Sequence, residues 1–381
     1  MNKSYAVTGP ERAKSAAYVI NHRARPGVNP MRETVEKQWR ELENIWQELY
    51  SGNTQVSPFQ SYEYLDFTGK GKPYFKDPFR LAGVREFNLV MYRDEKAIAI
   101  APMLVKRKKD RTQIFFRGHF TRAGRLDFVY REGFGYEDFK CMMDGIISRI
   151  QNPSFFLDRV FEGSPTSAYM QKYFPDLKTQ TKTSYAIPIP QNHEEWRKNL
   201  RKSARNNINN YIHRMERDQT ETEMKFYCEQ PMDEAVSNEM LGVYAHRYLV
   251  KNNCCLGLMR RPVIRLLVHC LKKDRLTQWL SMAPNNYHAI LYINHEIAAF
   301  TCGLISNGRQ IALVRLAINT KFARYGPGCL LLSDVVKHAT EKNQNDSWNI
   351  QEINLGIGGD NGMEYKQSYG GQPCCSYTFT T

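Results

Sequence analysis

Two glycines and a proline, in Arg324-Tyr325-Gly326-Pro327-Gly328, separate an apolar strand pattern over 311–318 from an amphipathic run that begins Cys329-Leu330-Leu331-Leu332. A loop of this kind presents unpaired backbone N–H groups and the positive end of a helix dipole, which together suit an anion. The spacing predicts a pyrophosphate cradle, and hence a coenzyme or nucleotide site. Arg324 adds a cation, and no acid stands among Ala323, Tyr325, Pro327 and Cys329. A second group of residues points the same way. The stretch Arg197-Lys198-Asn199-Leu200-Arg201-Lys202-Ser203-Ala204-Arg205 holds five cations and no acid. On a continuous helix Arg197, Arg201 and Arg205 would stack on one ridge, where like charges cost stability. That arrangement favours an anionic partner.

The composition agrees. The formal net charge is +14 and the isoelectric point is near 9.3, which suits a phosphorylated cosubstrate, a nucleotide-linked substrate, nucleic acid or an acidic surface. Interleaved aromatics and an RNA-binding signature are missing, so sequence-specific nucleic-acid readout is not expected. With 381 residues and 12% aromatics, the chain has material for two ordinary domains and is not disordered. No apolar run is long enough to span a membrane. The start, Met1-Asn2-Lys3-Ser4, lacks an apolar signal region, so a cytoplasmic location is expected. The nine cysteines show no C-x-x-C spacing, and neither a disulfide framework nor a metal is expected.

Residues 1–31, with Pro26, Gly27 and Pro30, read as a loosely held arm. A helix is predicted over 32–50, where Val35, Trp39, Leu42, Ile45, Trp46 and Leu49 recur at three and four. Strands follow over 87–92, 97–105, 113–116 and 126–130, with Lys106, Arg107, Lys108, Lys109 and Arg111 placed in a turn. A helix near 136–149, a strand near 155–160, and a strand with crossing linker over 182–190 complete this half. The second half opens on a long helix over 194–218, then a strand over 223–228 and helices near 233–248 and 261–272. Strands over 278–282, 288–293, 298–305 and 310–317 lead to the glycine loop. A helix over 328–341 and a strand over 350–355 come last. Strand-rich runs broken by single helices predict an α/β chain of two domains, 32–190 and 191–381. Each should be a mixed, mostly antiparallel sheet flanked by helices.

The halves look related. Residues 90–99 match 290–299 without a gap, each a strand, a polar turn and a second strand. Arg131-Glu132-Gly133-Phe134-Gly135 has the same R-x-G-x-G form as the loop at 324–328. A tandem duplication is the natural reading. In the first copy Glu132, Glu137 and Asp138 surround the loop and would repel a pyrophosphate. The second copy is therefore expected to be the active one.

A strand, a glycine loop, a helix, a strand carrying Asn354, and a tyrosine before a Gly-aromatic end resemble the GNAT acyltransferase superfamily. More narrowly, the chain resembles double-GNAT proteins of the CelD type, linked by name to cellulose and exopolysaccharide biosynthesis. That resemblance is carried by Ser57-Pro58-Phe59-Gln60-Ser61, by the run from Trp196 to Asn207, and by the 325–331 loop. Asn354-Leu355-Gly356-Ile357-Gly358 and Glu364-Tyr365-Lys366, with Tyr369-Gly370, continue it. It spans residues 55–372. Two departures stand out: the loop is one residue shorter than usual from its cation, and Asn354 replaces a frequent Asp.

The resemblance implies acetyl-CoA, or another acyl-CoA, as cosubstrate, with its pyrophosphate on the loop amides. Gly326 and Gly328 would permit close approach, and Tyr325 and Cys329 would supply walls. Acyl transfer to an amine needs a base, an oxyanion stabiliser and an acid for the thiolate. Tyr365 is the implied acid, since it follows the strand that splays beside the cosubstrate, and a phenol of pKa about 10 suits a thiolate. Glu352, Asp360 and Glu364, near the end of that strand, are the base candidates. The implied activity is N-acylation of an amine acceptor, such as an amino sugar or nucleotide-linked sugar of an envelope polysaccharide. Two alternatives stand beside it. A FemABX-like transferase would share the double fold and draw on aminoacyl-tRNA, which suits the basic ridge. A catalytically inactive scaffold in a polysaccharide-synthesis complex would need neither donor.

Overall fold

A computed structural model describes residues 31–51, 53, 56–69, 83–121, 123–251, 275–306, 310–345, 347–357 and 363–381. Residues 1–30 of the expected arm, the helix expected near 261–272, and Asp360 lie outside the described residues. The first half begins with strand β1 (Arg32–Glu36), helix α1 (Glu43–Ser51) and helix α2 (Tyr62–Gly69). Strands β2 (Val84–Arg93), β3 (Lys96–Lys108), β4 (Arg111–Phe116) and β5 (Val129–Tyr130) follow. Helix α3 (Tyr136–Ile147), strand β6 (Pro153–Phe161), helix α4 (Pro165–Tyr173) and strand β7 (Lys178–Pro188) end it. The second half runs through helices α5 (His193–Asn199) and α6 (Lys202–Arg217), strand β8 (Thr222–Cys228), and helices α7 (Glu234–Lys251) and α8 (Arg275–Met282). Strands β9 (Asn286–Ile293), β10 (Glu296–Ser306) and β11 (Gln310–Ile318) come next. Helix α9 (Pro327–Gln344), strand β12 (Glu352–Ile357), helix α10 (Met363–Ser368) and strand β13 (Gln372–Thr380) close the chain.

The strands join in one mostly antiparallel sheet in the order β1-β2-β3-β4-β6-β13-β7-β12-β11-β10-β9-β8, with β5 on β3. Helices flank it, as expected of the mixed α/β class. The order is a palindrome of two equivalent halves. In the β2–β3 hairpin the turn residues Asp94 and Glu95 have φ of 48° and 65°, and in the β9–β10 hairpin Asn294 and His295 have 49° and 63°. This left-handed pair gives a turn whose twist matches its strands. Even the irregularity repeats: Ile98 is squeezed out of register opposite Met91 and Tyr92, and Ala298 opposite Leu291 and Tyr292. In each half a parallel pair then forms, β4 with β6 and β11 with β12.

The last strand of each half crosses to the other. β7 pairs with β12, β13 pairs with β6, and β7 and β13 lie antiparallel between them. The halves also meet through side chains. Trp279 on α8 packs against Tyr64 and Phe67 on α2, and buried Arg125 pairs with Glu352 at 2.5 Å. Among the described residues no helix is long and apolar enough to cross a membrane.

Several sequence expectations are corrected. Residues 32–36 form β1 beside β2, not a helix, because Val35 satisfies an alternating pattern as well as a helical one. Residues 278–282 belong to α8 rather than a strand. Leu280 is buried, and its carbonyl faces buried His288 Nε2 at 3.0 Å. The helix expected over 194–218 breaks at Leu200, which is extended (φ −62°, ψ 152°) and buried with Trp196. The basic turn shrinks to Lys109 and Asp110, since β3 runs through Lys108 and β4 starts at Arg111. Only Val129–Tyr130 of 126–130 is strand, because Asp127 turns its carboxylate onto the Phe128 N–H at 2.7 Å.

Candidate functional site

The parallel pairing of β11 with β12 covers Gln310↔Glu352, Ile311↔Ile353 and Ala312↔Asn354, and then ceases. Local chemistry bends both strands apart. In β11, Arg315 faces Cys302 and Leu313 faces Gly303, so Val314 is a bulge with no partner in that ladder. Gly303 is needed there, since a Cβ would collide with the Ala312 carbonyl. In β12, the Asn354 side chain accepts from the Gly356 N–H at 2.7 Å and donates to Gln310 at 3.1 Å. Gly356 itself is left-handed, with φ 73°. The freed carbonyls of Leu355, Gly356 and Ile357 accept from Lys366 Nζ at 2.6, 2.9 and 3.0 Å. Lys366 thus holds α10 onto the diverging end of β12. Burial lowers its pKa, and the three carbonyls use its three protons.

Above this splay sits the glycine loop. Residues Thr320–Tyr325 form a 3-10 turn, and Gly326 is left-handed (φ 53°) before α9 starts at Pro327. The Gly326 N–H donates to Ala323 at 3.0 Å, while Cys329 and Leu330 donate to the Gly326 carbonyl at 2.9 and 3.4 Å. Pro327 has no N–H. The Gly328 N–H is therefore the loop amide without an acceptor among the described residues. No acid lies in the first turn of α9. The space over Gly326 is filled by the Tyr211 ring of α6, whereas a Cβ on Gly328 would first meet Ile318 at 3.1 Å. Tyr325 is buried; its hydroxyl donates to Asp218 at 3.0 Å. The Arg324 guanidinium lies 4.6 Å from the Tyr325 ring and 3.1 Å from Asp218, so its charge is already answered.

Phenols crowd the start of α9. Tyr365 and Tyr369 on and just after α10 have ring centroids 5.0 Å apart. The buried Tyr369 hydroxyl has no oxygen or nitrogen partner among the described residues and faces the Cys329 thiol. Burial raises the Cys329 pKa, which keeps the thiol protonated and poorly suited as a nucleophile. Tyr365 is 39% exposed, yet desolvation of its hydroxyl pushes its pKa up, with Cys329 adding to the shift and Arg247 opposing it. The phenol is therefore a proton donor at neutral pH. Arg247 of α7 donates to the Leu316 carbonyl on β11, which places a cation at the mouth of the splay.

The other sequence-selected residues are distributed differently. Glu352 is half-buried and tied to Arg125 across the two halves. Glu364 lies on α10, one residue from Tyr365. The break at Leu200 divides the expected arginine ridge. Arg197 on α5 donates to Asn209 at 2.6 Å, Arg201 stands in the break beside Gln367 at 3.5 Å, and Arg205 on α6 donates to the Lys198 carbonyl at 2.6 Å. Sequence reasoning missed Tyr211, Tyr369, Gly303 and the Val314 bulge. Tyr369 had a signal, its place in the Tyr-x-x-x-Tyr-Gly run; the bulge had none.

The first half is built alike and filled. In the first turn of α3, Asp138 accepts from the Gly135 N–H at 3.0 Å, from Arg32 at 2.8 Å and from Arg93. Arg159, left-handed at φ 62°, donates to the carbonyls of Thr121 at 2.8 Å, Ala123 at 2.9 Å and His119. These bonds draw the segment after β4 across the divergence of β4 and β6. The β3–β4 ladder is regular, with no bulge.

Residues 202–367 match the family described as the acetyltransferase (GNAT) domain. That span runs from α6 through α10 and includes the whole splay, which supports an acyltransferase. No curated protein matches the chain. Among solved structures, the fold is similar to FemX, with a TM-score of 0.56 at 10% identity, covering 91% of this chain and 96% of that one. It is also similar to the C-terminal domain of a protein described as a putative lysylphosphatidylglycerol synthetase from Agrobacterium fabrum. There the TM-score is 0.51 at 11% identity, covering 90% of this chain and 92% of that one.

Proposed function

We propose that the protein is an acyl-CoA-dependent N-acyltransferase working in the splay between β11 and β12. The observation that carries this reading is the contrast at the two helix starts. The first turn of α3 holds its own carboxylate, Asp138, on an N–H and two guanidinium groups. The equivalent turn of α9 has an uncommitted Gly328 N–H, no acid, and a buried Tyr369 hydroxyl beside it. Such a turn fits the pyrophosphate of acetyl-CoA or another acyl-CoA, with Arg201 and Arg205 at the exposed start of α6 as further contacts for the anion. The cosubstrate supplies a thioester, activated for attack by an amine.

The residues then divide the work. The bulge at Val314 turns a backbone amide out of the ladder, where it can polarise the thioester carbonyl. Tyr365 donates its proton to the departing sulfur. Asp360 or Glu364, on either side of α10's start, takes the proton from the acceptor ammonium; Glu352 is the weaker choice because Arg125 holds it. An amino sugar or nucleotide-linked sugar of an envelope or exopolysaccharide is the proposed acceptor. Residues 32–190 and 191–381 are the proposed domain limits, the second bearing the site.

One observation favours another donor. Tyr211 fills the space above Gly326, which leaves a narrow cradle, and transfer from aminoacyl-tRNA would not need one. Calorimetry separates the readings. Saturable binding of acetyl-CoA, one per chain, supports the first. Binding of tRNA that weakens steeply with salt, without acetyl-CoA binding, supports the second. Neither would leave an inactive scaffold.

A further inference from the structure

The basic hairpin of β3 and β4 has no part in the site just described, and it belongs to a larger surface. Lys108 pairs with Arg111 and Lys106 with Gln113, and Gln113 pairs with Ser154 on β6. Residues directly opposite share a face, so Lys106, Lys108, Arg111, Gln113 and Ser154 lie together. The other face of these strands buries Ile114, Phe116, Phe155 and Leu157 in the core. Phe115 and Phe156 join the basic face, with centroids 6.0 Å apart. Across β13, Phe156 stands opposite Thr380 and Thr380 opposite Lys178; alternation along β7 adds Lys182 to the same face. Lys108, Arg111, Lys178 and Lys182 are exposed. Five strands at about 4.8 Å spacing make this a strip about 20 Å wide.

The acids on the strip are already paired. Glu86 meets Arg117 at 2.8 Å, and Asp158 meets His119 at 2.6 Å and Arg159 at 2.8 Å. Half-buried Phe120 and Phe156 pack with His119 behind the cations. We propose that this sheet face docks the protein on an anionic phospholipid bilayer. Four of the five cations on the strip are lysines, point charges suited to a diffuse negative surface rather than to bidentate phosphate recognition. The cations are spread across neighbouring strands rather than gathered round a pocket, which suits an extended partner. The aromatic rings pack against one another, mostly tilted or edge-on, instead of standing free as platforms for bases.

Sedimentation with vesicles tests this on the full chain. The protein should pellet with mixed phosphatidylglycerol and phosphatidylcholine vesicles, remain in solution with phosphatidylcholine alone, and be released by salt. Lys106→Glu/Lys108→Glu/Arg111→Glu should lower vesicle affinity by about a hundredfold or more. The charge-matched Arg40→Glu/Lys140→Glu/Lys172→Glu, at exposed helical positions, should change it only slightly. If the first variant does not fold, Lys178→Gln/Lys182→Gln should still lower affinity about tenfold. Equal binding to both vesicle types, or equal loss in the two triple variants, overturns the proposal. So does binding to unfractionated RNA that exceeds vesicle binding and disappears in the first variant.

Discussion

At the start of α3, Asp138 occupies the place where two arginines and a helix N-terminus would hold an anion; at the start of α9 the third helical position is Cys329, and the first turn carries no acid. The two halves share hairpins, turn conformations and even a displaced residue. They differ in what occupies the gap between their parallel strands. Arg159 ties the first gap shut with loop carbonyls. In the second half the bulge at Val314, the left-handed Gly356 and the anchoring Lys366 keep the strands apart. The sheet is therefore a frame common to both halves. The proposed chemistry rests on a few side chains at the second gap.

The contrast can be broken most severely at the proposed acid. Tyr365→Phe keeps the ring and should leave donor binding intact, while kcat falls by about 10²–10⁴-fold. Above the pKa of a thiol, about 8.5, the departing sulfur needs no proton, so the deficit should shrink in alkaline buffer once the amine is deprotonated. A wild-type rate with any accepted amine would make this tyrosine structural. Next in size is the cradle. Gly328→Asp puts a carboxylate where the proposed pyrophosphate would lie, and like charges about 4 Å apart at an effective dielectric near 20 cost about 4 kcal/mol, roughly a thousandfold in affinity. Gly135→Asp, at the last glycine of the matching R-x-G-x-G motif in the first half, should leave acetyl-CoA affinity unchanged. Equal affinities in both variants and the wild type would remove the cradle.

How much of this was legible beforehand follows from the kind of signal each element carries. The hairpins were readable because a two-residue polar turn between alternating strands constrains its neighbours. The glycine loop was readable because left-handed backbone at Gly326 has few alternatives to glycine. The break at Leu200 was not, since neither glycine nor proline marks it and the apolar period runs on through Trp196, Leu200 and Ala204. Residues 278–282 failed for a related reason: a short apolar run fits strand and helix equally, and contact with α7 and β9 decides it. The bulge at Val314 depends on Gly303, a residue of another strand, and no local pattern reports such a pairing. Glu352 looked like a free carboxylate because its partner Arg125 lies in the other half.

A smaller effect sharpens the contrast from the first half. Asp138→Asn leaves Arg32 and Arg93 without their shared carboxylate; their side chains are 26% and 29% exposed, so solvent softens the loss to about 2 kcal/mol of stability. Urea unfolding should register it, with acetyl-CoA affinity unaltered. The smallest effect is in pH. Burial lowers His288 and His338, both in the second half, to about 4 from 6.5. The unfolded chain takes up these protons first, so their contribution is complete above pH 6.5 and declines as pH falls toward 4. Burial raises Asp127, in the first half, to about 6 from 3.8, so its folded form gains relative stability as pH falls through that window. Asp334 on α9 is raised to about 6 as well and offsets part of the loss in the second half. Protection factors from hydrogen exchange, corrected for the intrinsic slowing of amide exchange in acid, should therefore fall around β9 and rise near Asp127 between pH 6.5 and 4; uniform behaviour would show that the two halves do not respond separately.

The crossing of the final strands has a consequence for how the molecule is made. β6 is complete once Phe161 has been synthesised, but the strand that covers its open edge begins only at Gln372. Through that whole interval the emerging chain carries an unpaired edge beside Phe155 and Leu157, the sort of edge that recruits foreign strands. β7 is exposed in the same way until β12 arrives. Neither half can finish its sheet from its own residues, and a cut between them would yield two incomplete fragments. Contacts at such long sequence separation slow the search for the native pairing, so the nine residues Gln372–Thr380 act as the closing stitch for a fold begun near Arg32.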